Sequence, residues 1–316
     1  MTMIDMSVWQ GRVDAAEGAA GRRWHQVIQS RESGTPPATT VLIGFACDAG
    51  VARNHGRVGA AEGPLAIRRG LRNMPVHDCT LLADGGDVVC AGDALEAAQQ
   101  DLAAVIGREL AAGRFPLVLG GGHEMAWGSF SGLAAHLAGG SQVPRIGIVN
   151  FDAHFDLRRD TRPTSGTPFL QMAHDCDARG WPFSYACFGV SRYANTEALF
   201  ARARELGVLF ALDEALSAAT GGSALSSFLA DVDHVYLTVC LDVLPAAVAP
   251  GVSSPAARGV GLEVLEPLVD AVCASGKVRL ADIAEMNPRF DIDGRTASVA
   301  ARIAARIANG VAVALR

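Results

Sequence analysis

A chain of 316 residues, half of them hydrophobic and 19% charged, is long enough for a large α/β domain and too apolar for disorder. Its 33 acidic and 27 basic side chains leave a formal charge of −6, which excludes nucleic acid as a general partner. No uninterrupted apolar run approaches the roughly 18 residues of a membrane span, and MTMIDMSVWQGRVD lacks the basic and apolar blocks of a secretory leader, so no membrane partner is expected.

In chain order, GTPPATT (34–40) separates an N-terminal arm, residues 1–38, from the first apolar run. The arm is expected to dock on one domain spanning 1–316. The apolar runs are TVLIGFACD (40–48), PLVLGGGHE (116–124), RIGIVNFDAH (145–154), YACFGV (185–190), GVLFAL (207–212), HVYLTVCLD (234–242) and VRLADIAEMN (278–287). Short, continuous and rich in β-branched residues, they read as strands buried on both faces. Helical periodicity fills gaps between them at 93–113, 194–207 and 296–310, the first ending on a glycine cap. Strand alternating with helix predicts a parallel sheet between two helical layers.

Seven widely spaced cysteines with no CxxC pair argue against a disulfide framework and for a reducing cytoplasm. Six of them read as small buried hydrophobes.

In parallel sheets, ligands gather at the carboxyl ends of the strands. Four polar clusters fall there: GGGHE (120–124), DAHFD (152–156), CLD (240–242) and EMNPRFD (285–291). GGGHE could cradle a phosphate, but lacks the Lys-Ser/Thr of a P-loop; His123 alone could equally be a capping or core histidine. Asp152, His154 and Asp156 stand at every second position after an apolar run. With strand period, their side chains share one direction. Burying two carboxylates without a cation costs several kcal/mol, so this cluster points to a metal. His123, Asp152, His154, Asp156 and Asp242 offer five N/O donors, too many for one tetrahedral zinc and suited to a pair of ions such as Mn²⁺.

GGGHE, DAHFDLR and TVCLDVLP together resemble the three signatures of the ureohydrolases, the arginase and agmatinase family, whose pattern is GGxH[DE], DAHxD and [ST]xDxD. Within that family WQGRVD (9–14), GVARNHGRVGAAEGP (50–64), SGTPF (165–169) and LPAAVAPGVSSPAARG (244–259) resemble the branch that hydrolyses N-formimidoyl-L-glutamate. The resemblance implies a three-layer αβα fold, a mostly parallel eight-stranded sheet, a homo-oligomer, a small-molecule substrate and two Mn²⁺ per subunit. It implies that His123, Asp152 and Asp156 hold one ion, and that Asp152 bridges to a second completed by His154 and Asp242. It also gives Asp156 the proton carried to the leaving amine, and Glu285 the grip on the cationic amidine.

One ligand position departs from the pattern: Cys240 stands where the family has its remaining bridging Asp. Two readings remain. Cys240 is a thiolate ligand, keeping the charge of the carboxylate but favouring softer ions than Mn²⁺; or it is a neutral packing residue beside a weak second site. Ser165-Gly166 likewise replaces the His-Gly of arginase-like members, removing one candidate proton shuttle. Arg53, Asn54, Arg57, Arg192 and Asn195 are candidates for binding the two substrate carboxylates. The alternatives are a ureohydrolase acting on agmatine or another guanidino compound, and a non-catalytic metal-binding relative.

Overall fold

Nine runs of extended chain form one sheet in the computed structural model, which describes residues 2, 5–31, 34–37, 39–140 and 142–314. In chain order they are β1 (Gln29–Ser30), β2 (Thr40–Ala46), β3 (Leu82–Val89), β4 (Phe115–Leu119), β5 (Ile146–Phe151), β6 (Ser184–Val190), β7 (Leu209–Leu212), β8 (His234–Cys240) and β9 (Val278–Ala284). Their spatial order is β1-β3-β2-β4-β9-β8-β5-β6-β7, and every pairing between them is parallel. Each predicted apolar run supplies a strand.

The count is nine, not the eight that the resemblance implied. The short β1 pairs with β3 at the edge. β3 itself, LADGGDVV, has no apolar run to announce it. It tolerates two acids because Arg68 and the Trp9 indole bind Asp84 and Arg68 also binds Asp87.

The helices are α1 (Trp24–Val27), α2 (Ala49–Arg53), α3 (Gly63–Leu71), α4 (Leu95–Ala111), α5 (Met125–Leu137), α6 (Pro168–Arg179), α7 (Glu197–Glu205), α8 (Ala218–Ala230), α9 (Leu262–Ala274) and α10 (Arg295–Ala314). Side chains of α3, α8, α9 and α10, such as Ile67, Leu225, Leu265 and Ile303, bury one face of the sheet. Those of α4 to α7, such as Leu102, Phe130, Phe169 and Phe200, bury the other. This is a three-layer αβα architecture. Helix α10 is long and apolar enough to cross a membrane by length and composition alone, but here its Ala and Ile stripe packs in the core.

The arm is fastened by Trp9, Trp24 and β1, with Trp24 fully buried and its N–H donating to the Met74 carbonyl at 2.9 Å. Residues 1, 3, 4, 32, 33 and 38 of the arm lie outside the described residues.

Candidate metal centre

β4, β9, β8 and β5 are consecutive neighbours in the sheet. Their carboxyl ends therefore deliver GGGHE, EMN, CLD and DAHFD to one place. The glycines after β4 carry the chain past its neighbours: Gly121 has φ 105°, and a Cβ there would lie 2.3 Å from the Phe45 carbonyl oxygen. Pairing with β9 extends into this loop, through Gly120 N–H to Ile283 O at 2.8 Å and Glu285 N–H to Gly121 O at 2.8 Å.

β5 ends at Phe151, so the every-second-residue spacing of Asp152, His154 and Asp156 is not strand geometry. A turn makes the three converge. The His154 N–H donates to Asp152 Oδ1 at 2.7 Å. Asn195, buried, accepts from the Phe155 N–H at 3.1 Å and donates to the Ala153 carbonyl at 2.8 Å. Asp156 then turns at φ 47°, and Glu285 across the site at φ 71°. Left-handed backbone costs non-glycine residues about 1–3 kcal/mol each, and such strain gathers at functional sites.

His123 Nδ1 lies 2.9 Å from Asp152 Oδ2 and 3.0 Å from Asp156 Oδ2. His154 Nδ1 lies 3.1 Å from Asp242 Oδ2 and 3.5 Å from Asp152 Oδ1. Donor atoms of His123, Asp152 and Cys240 fall within 4.8 Å of one another, as do those of Asp152, His154 and Asp242. Asp152 belongs to both groups. Glu285, also buried, accepts the His123 N–H at 2.9 Å and the Ser253 N–H at 3.3 Å.

The donor set fits divalent cations. His123 Nδ1 and Asp242 Oδ1 are buried without a hydrogen-bond partner, although carboxylate oxygens crowd the imidazole. One ring nitrogen has at most one proton to offer two carboxylates. No Arg or Lys pairs with Asp152, Asp156 or Asp242 among the described residues. Without a cation, the charges of the cluster are mismatched. Burial and the Asp152 charge push Asp156 and Asp242 up, while Asp152, despite its burial, is held low by hydrogen bonds from His123 and His154. Burial pushes Glu285 up to about 7 and, with the Glu285 charge, Glu124 up to about 8. Burial and the surrounding carboxylates hold the Cys240 thiol well above its ordinary value. Positive charge at this point would favour the ionised form of every one of these groups.

A cavity of about 230 Å³ opens onto the cluster. It is lined by His123, His154, Asp156, Cys240, Asp242 and Glu285, with Asn54, His55, Gly56, Arg158, Ser165, Ser253 and Ser254 around them. A larger cavity, about 820 Å³ and mostly apolar, shares none of these residues.

Of the five residues expected to bind substrate carboxylates, only Asn54 lines the cavity, its amide donating to Ser165 Oγ at 3.0 Å. The other four do not line it. Arg53 spends all five N–H donors on Asp93, Glu96 and the carbonyls of Asp93 and Pro163. Arg57 donates to the Pro250 and Val252 carbonyls and stacks on Phe290. Arg192 is exposed beside Glu214 at 3.4 Å. Asn195 braces the DAHFD turn. The cation that does line the cavity is Arg158, two residues beyond Asp156 in the same motif. Continuing the alternate spacing by one step would have found it.

A parallel αβα sheet that brings clustered His and Asp donors from neighbouring strand ends to one cavity is the architecture of the arginase family of binuclear-metal hydrolases. The chain belongs to it, matching the family over residues 38–309. The chain is 62% identical to the formimidoylglutamase of Ralstonia nicotianae over 98% of its own length and 97% of the relative's. It is 55% identical to that of Aeromonas hydrophila, over 95% of this chain and 96% of that one. Among solved structures it is similar to the formiminoglutamase of Trypanosoma cruzi with Mn²⁺, at 26% identity and a TM-score of 0.77, covering 87% of this chain and 94% of that chain. The formimidoylglutamase of Bacillus subtilis, 21% identical with a TM-score of 0.81 over 92% of both chains, shares the fold.

Proposed function

We propose that this chain hydrolyses N-formimidoyl-L-glutamate to L-glutamate and formamide, with two Mn²⁺ per subunit. The observation that carries the proposal is the sharing of buried Asp152 between two donor groups beside the cavity, in a chain 62% identical to a formimidoylglutamase. His123, Asp152, Asp156 and Cys240 would hold one ion, and Asp152, His154, Cys240 and Asp242 the other. When bound, the ions supply positive charge that acidifies a water, whose pKa falls from 15.7 to about 7 in comparable sites, and that favours negative charge developing at the attacked carbon.

The remaining chemistry belongs to the side chains. Water adds to the planar imino carbon. Asp156, at the cavity wall, takes a proton from the water and returns it to the departing glutamate nitrogen. The C–N bond to glutamate breaks, and the former imino carbon leaves as formamide. Glu285, held by the His123 and Ser253 N–H groups, faces the amidinium. Arg158 pairs with a substrate carboxylate, with Asn54 and Ser165 beside it. Seven free cysteines suit a reducing cytoplasm, and the proposed assembly is a homo-oligomer.

The test is product analysis of manganese-loaded protein. Formamide and glutamate should appear in equal amounts from formimidoylglutamate. Urea released from agmatine or arginine, with no formamide, would replace this reading with a guanidino-directed one.

A further inference from the structure

β4, β9 and β8 carry the metal centre at their carboxyl ends. Their amino ends open onto a different cavity, of about 240 Å³, that the chemistry above does not use. Arg279 lines it. This arginine is the second residue of β9, a central strand whose other six residues are buried. Val235 of β8 lies opposite Val278, and Tyr236 opposite Leu280, so Arg279 is an extra residue in the ladder, a β-bulge. The bulge re-aims the side chain. Ala281 and Ile283 belong to the core face packed by α9 and α10, and strict alternation would send Arg279 there as well. Val278 occupies that face instead. Arg279 opens into the cavity with Leu110 and Leu137, which pack on the opposite core at the ends of α4 and α5.

The Arg279 guanidinium is half-buried and has no carboxylate partner among the described residues. Its one side-chain hydrogen bond there runs from Nε to His234 Nδ1, at a long 3.5 Å. Arginine is seldom enclosed without a counter-charge. The neighbouring cations are already spent. Arg114 donates to Glu109 at 2.5 Å and to the Thr35 carbonyl at 3.0 Å. Arg145 holds Asp233 through two hydrogen bonds, at 3.0 and 2.7 Å. The Lys277 ammonium caps the Leu229 and Val232 carbonyls at 2.6 and 2.8 Å. Those pairings also neutralise Glu109 and Asp233, so Arg279 is the uncompensated fixed charge of the cavity.

We infer that this cavity is a binding site for a small monocarboxylate with a hydrocarbon or aromatic body. A carboxylate matches the two-pronged guanidinium edge. The carboxyl ends of α4 and α5 lie beside the cavity and carry partial negative charge, which disfavours a dianion such as phosphate. Leu110, Leu137 and Val278 supply apolar surface for the body, and His136 and His234 add ring N–H donors. The volume lies below the roughly 300–1,000 Å³ of sites for drug-sized ligands, so the ligand is small. The inference rests on neither the metal centre nor the identity of the substrate.

The probe is benzoate, titrated into the manganese-loaded protein by calorimetry and followed by saturation-transfer NMR. Benzamide, of the same shape without the charge, and inorganic phosphate are run beside it. Benzoate should bind once per chain, and benzamide and phosphate at least about tenfold more weakly. Arg279→Gln should weaken benzoate by about tenfold or more and leave formamide release unchanged. Arg158→Ala, at the metal cavity, should leave benzoate affinity unchanged. Should Arg279→Gln not fold, Leu137→Trp, which fills the cavity, should produce the same loss. No benzoate binding by the wild type would overturn the inference. So would equal affinities in wild type and the folded cavity variant, or a loss confined to Arg158→Ala, which would place benzoate at the metal cavity. Phosphate binding as tightly as benzoate would overturn the assigned ligand class.

Discussion

Two regions of the sheet bury carboxylates, and they do so in opposite ways. At the β1-β3-β2 edge, Asp84 receives Arg68 Nε at 2.8 Å and Nη2 at 2.9 Å, the Trp9 indole at 2.8 Å and the Gly86 N–H at 2.9 Å. The guanidinium is fully enclosed, and its Nη1 takes Asp87 at 2.6 Å. Every negative charge there is met by the protein. At the β4-β9-β8-β5 centre, three carboxylates and a thiol face two imidazoles, and Asp242 Oδ1 and His123 Nδ1 are left without partners. Burial is common to both. The difference is that one region contains its own cation and the other has donors arranged for cations from outside.

Substitutions can break that contrast. The largest effect is expected from Asp152→Asn, which removes the carboxylate common to both donor groups. Formamide release should fall by about 10³-fold, equivalent to several kcal/mol, and bound manganese should fall with it. Retained metal and activity would show that Asp152 is not the shared ligand. Next, Arg68→Met should destabilise the fold by about 3–5 kcal/mol, because it strands Asp84 in the interior, while the remaining folded protein keeps both manganese ions. Denaturant unfolding beside metal counting separates the two regions. If Arg68→Met instead strips the metal, the two regions are coupled.

Two smaller effects sharpen the centre itself. Arg158→Ala should raise KM about tenfold through loss of a charge-assisted hydrogen bond from an exposed side chain at the cavity mouth, whereas Arg192→Ala should leave KM unchanged. Equal KM values in the two variants would remove Arg158 from substrate binding. The smallest effect concerns Glu124, enclosed by Gly50 and Gly122 and held up to about 8 against an ordinary 4.5. A carboxyl raised on folding takes up a proton. Its stabilising contribution is therefore complete below 4.5 and is lost as pH rises through about 8. In EDTA-treated protein, Glu124→Gln should flatten the decline of Tm across that interval. An unaltered slope would assign the decline elsewhere.

What could be read beforehand follows from how locally each feature is encoded. His123, Asp152, His154, Asp156, Cys240 and Asp242 sit directly after apolar runs, and the rule that parallel strands present ligands at their carboxyl ends gathered them without coordinates. The turn that aims them was not legible, because it depends on Asn195, 40 residues beyond Phe155 in sequence. β3 was missed because its acids are neutralised by partners on α3 and the arm rather than by its own pattern. Arg53 looked like a carboxylate clamp until Asp93 and Glu96 were seen to occupy it. Arg279 lay in a run read simply as a strand.

The strand order has a further consequence, for biosynthesis. β4 and β5 follow one another in the chain, yet β9 and β8 lie between them in the sheet. As the polypeptide emerges from the ribosome, these two hydrophobic strands have open inner edges until residues 234–284 have been made and inserted. Unpaired edges of that kind invite association with other nascent chains. The same order means that cations cannot be captured at full coordination until that late insertion is complete, so metal loading would report completion of the sheet.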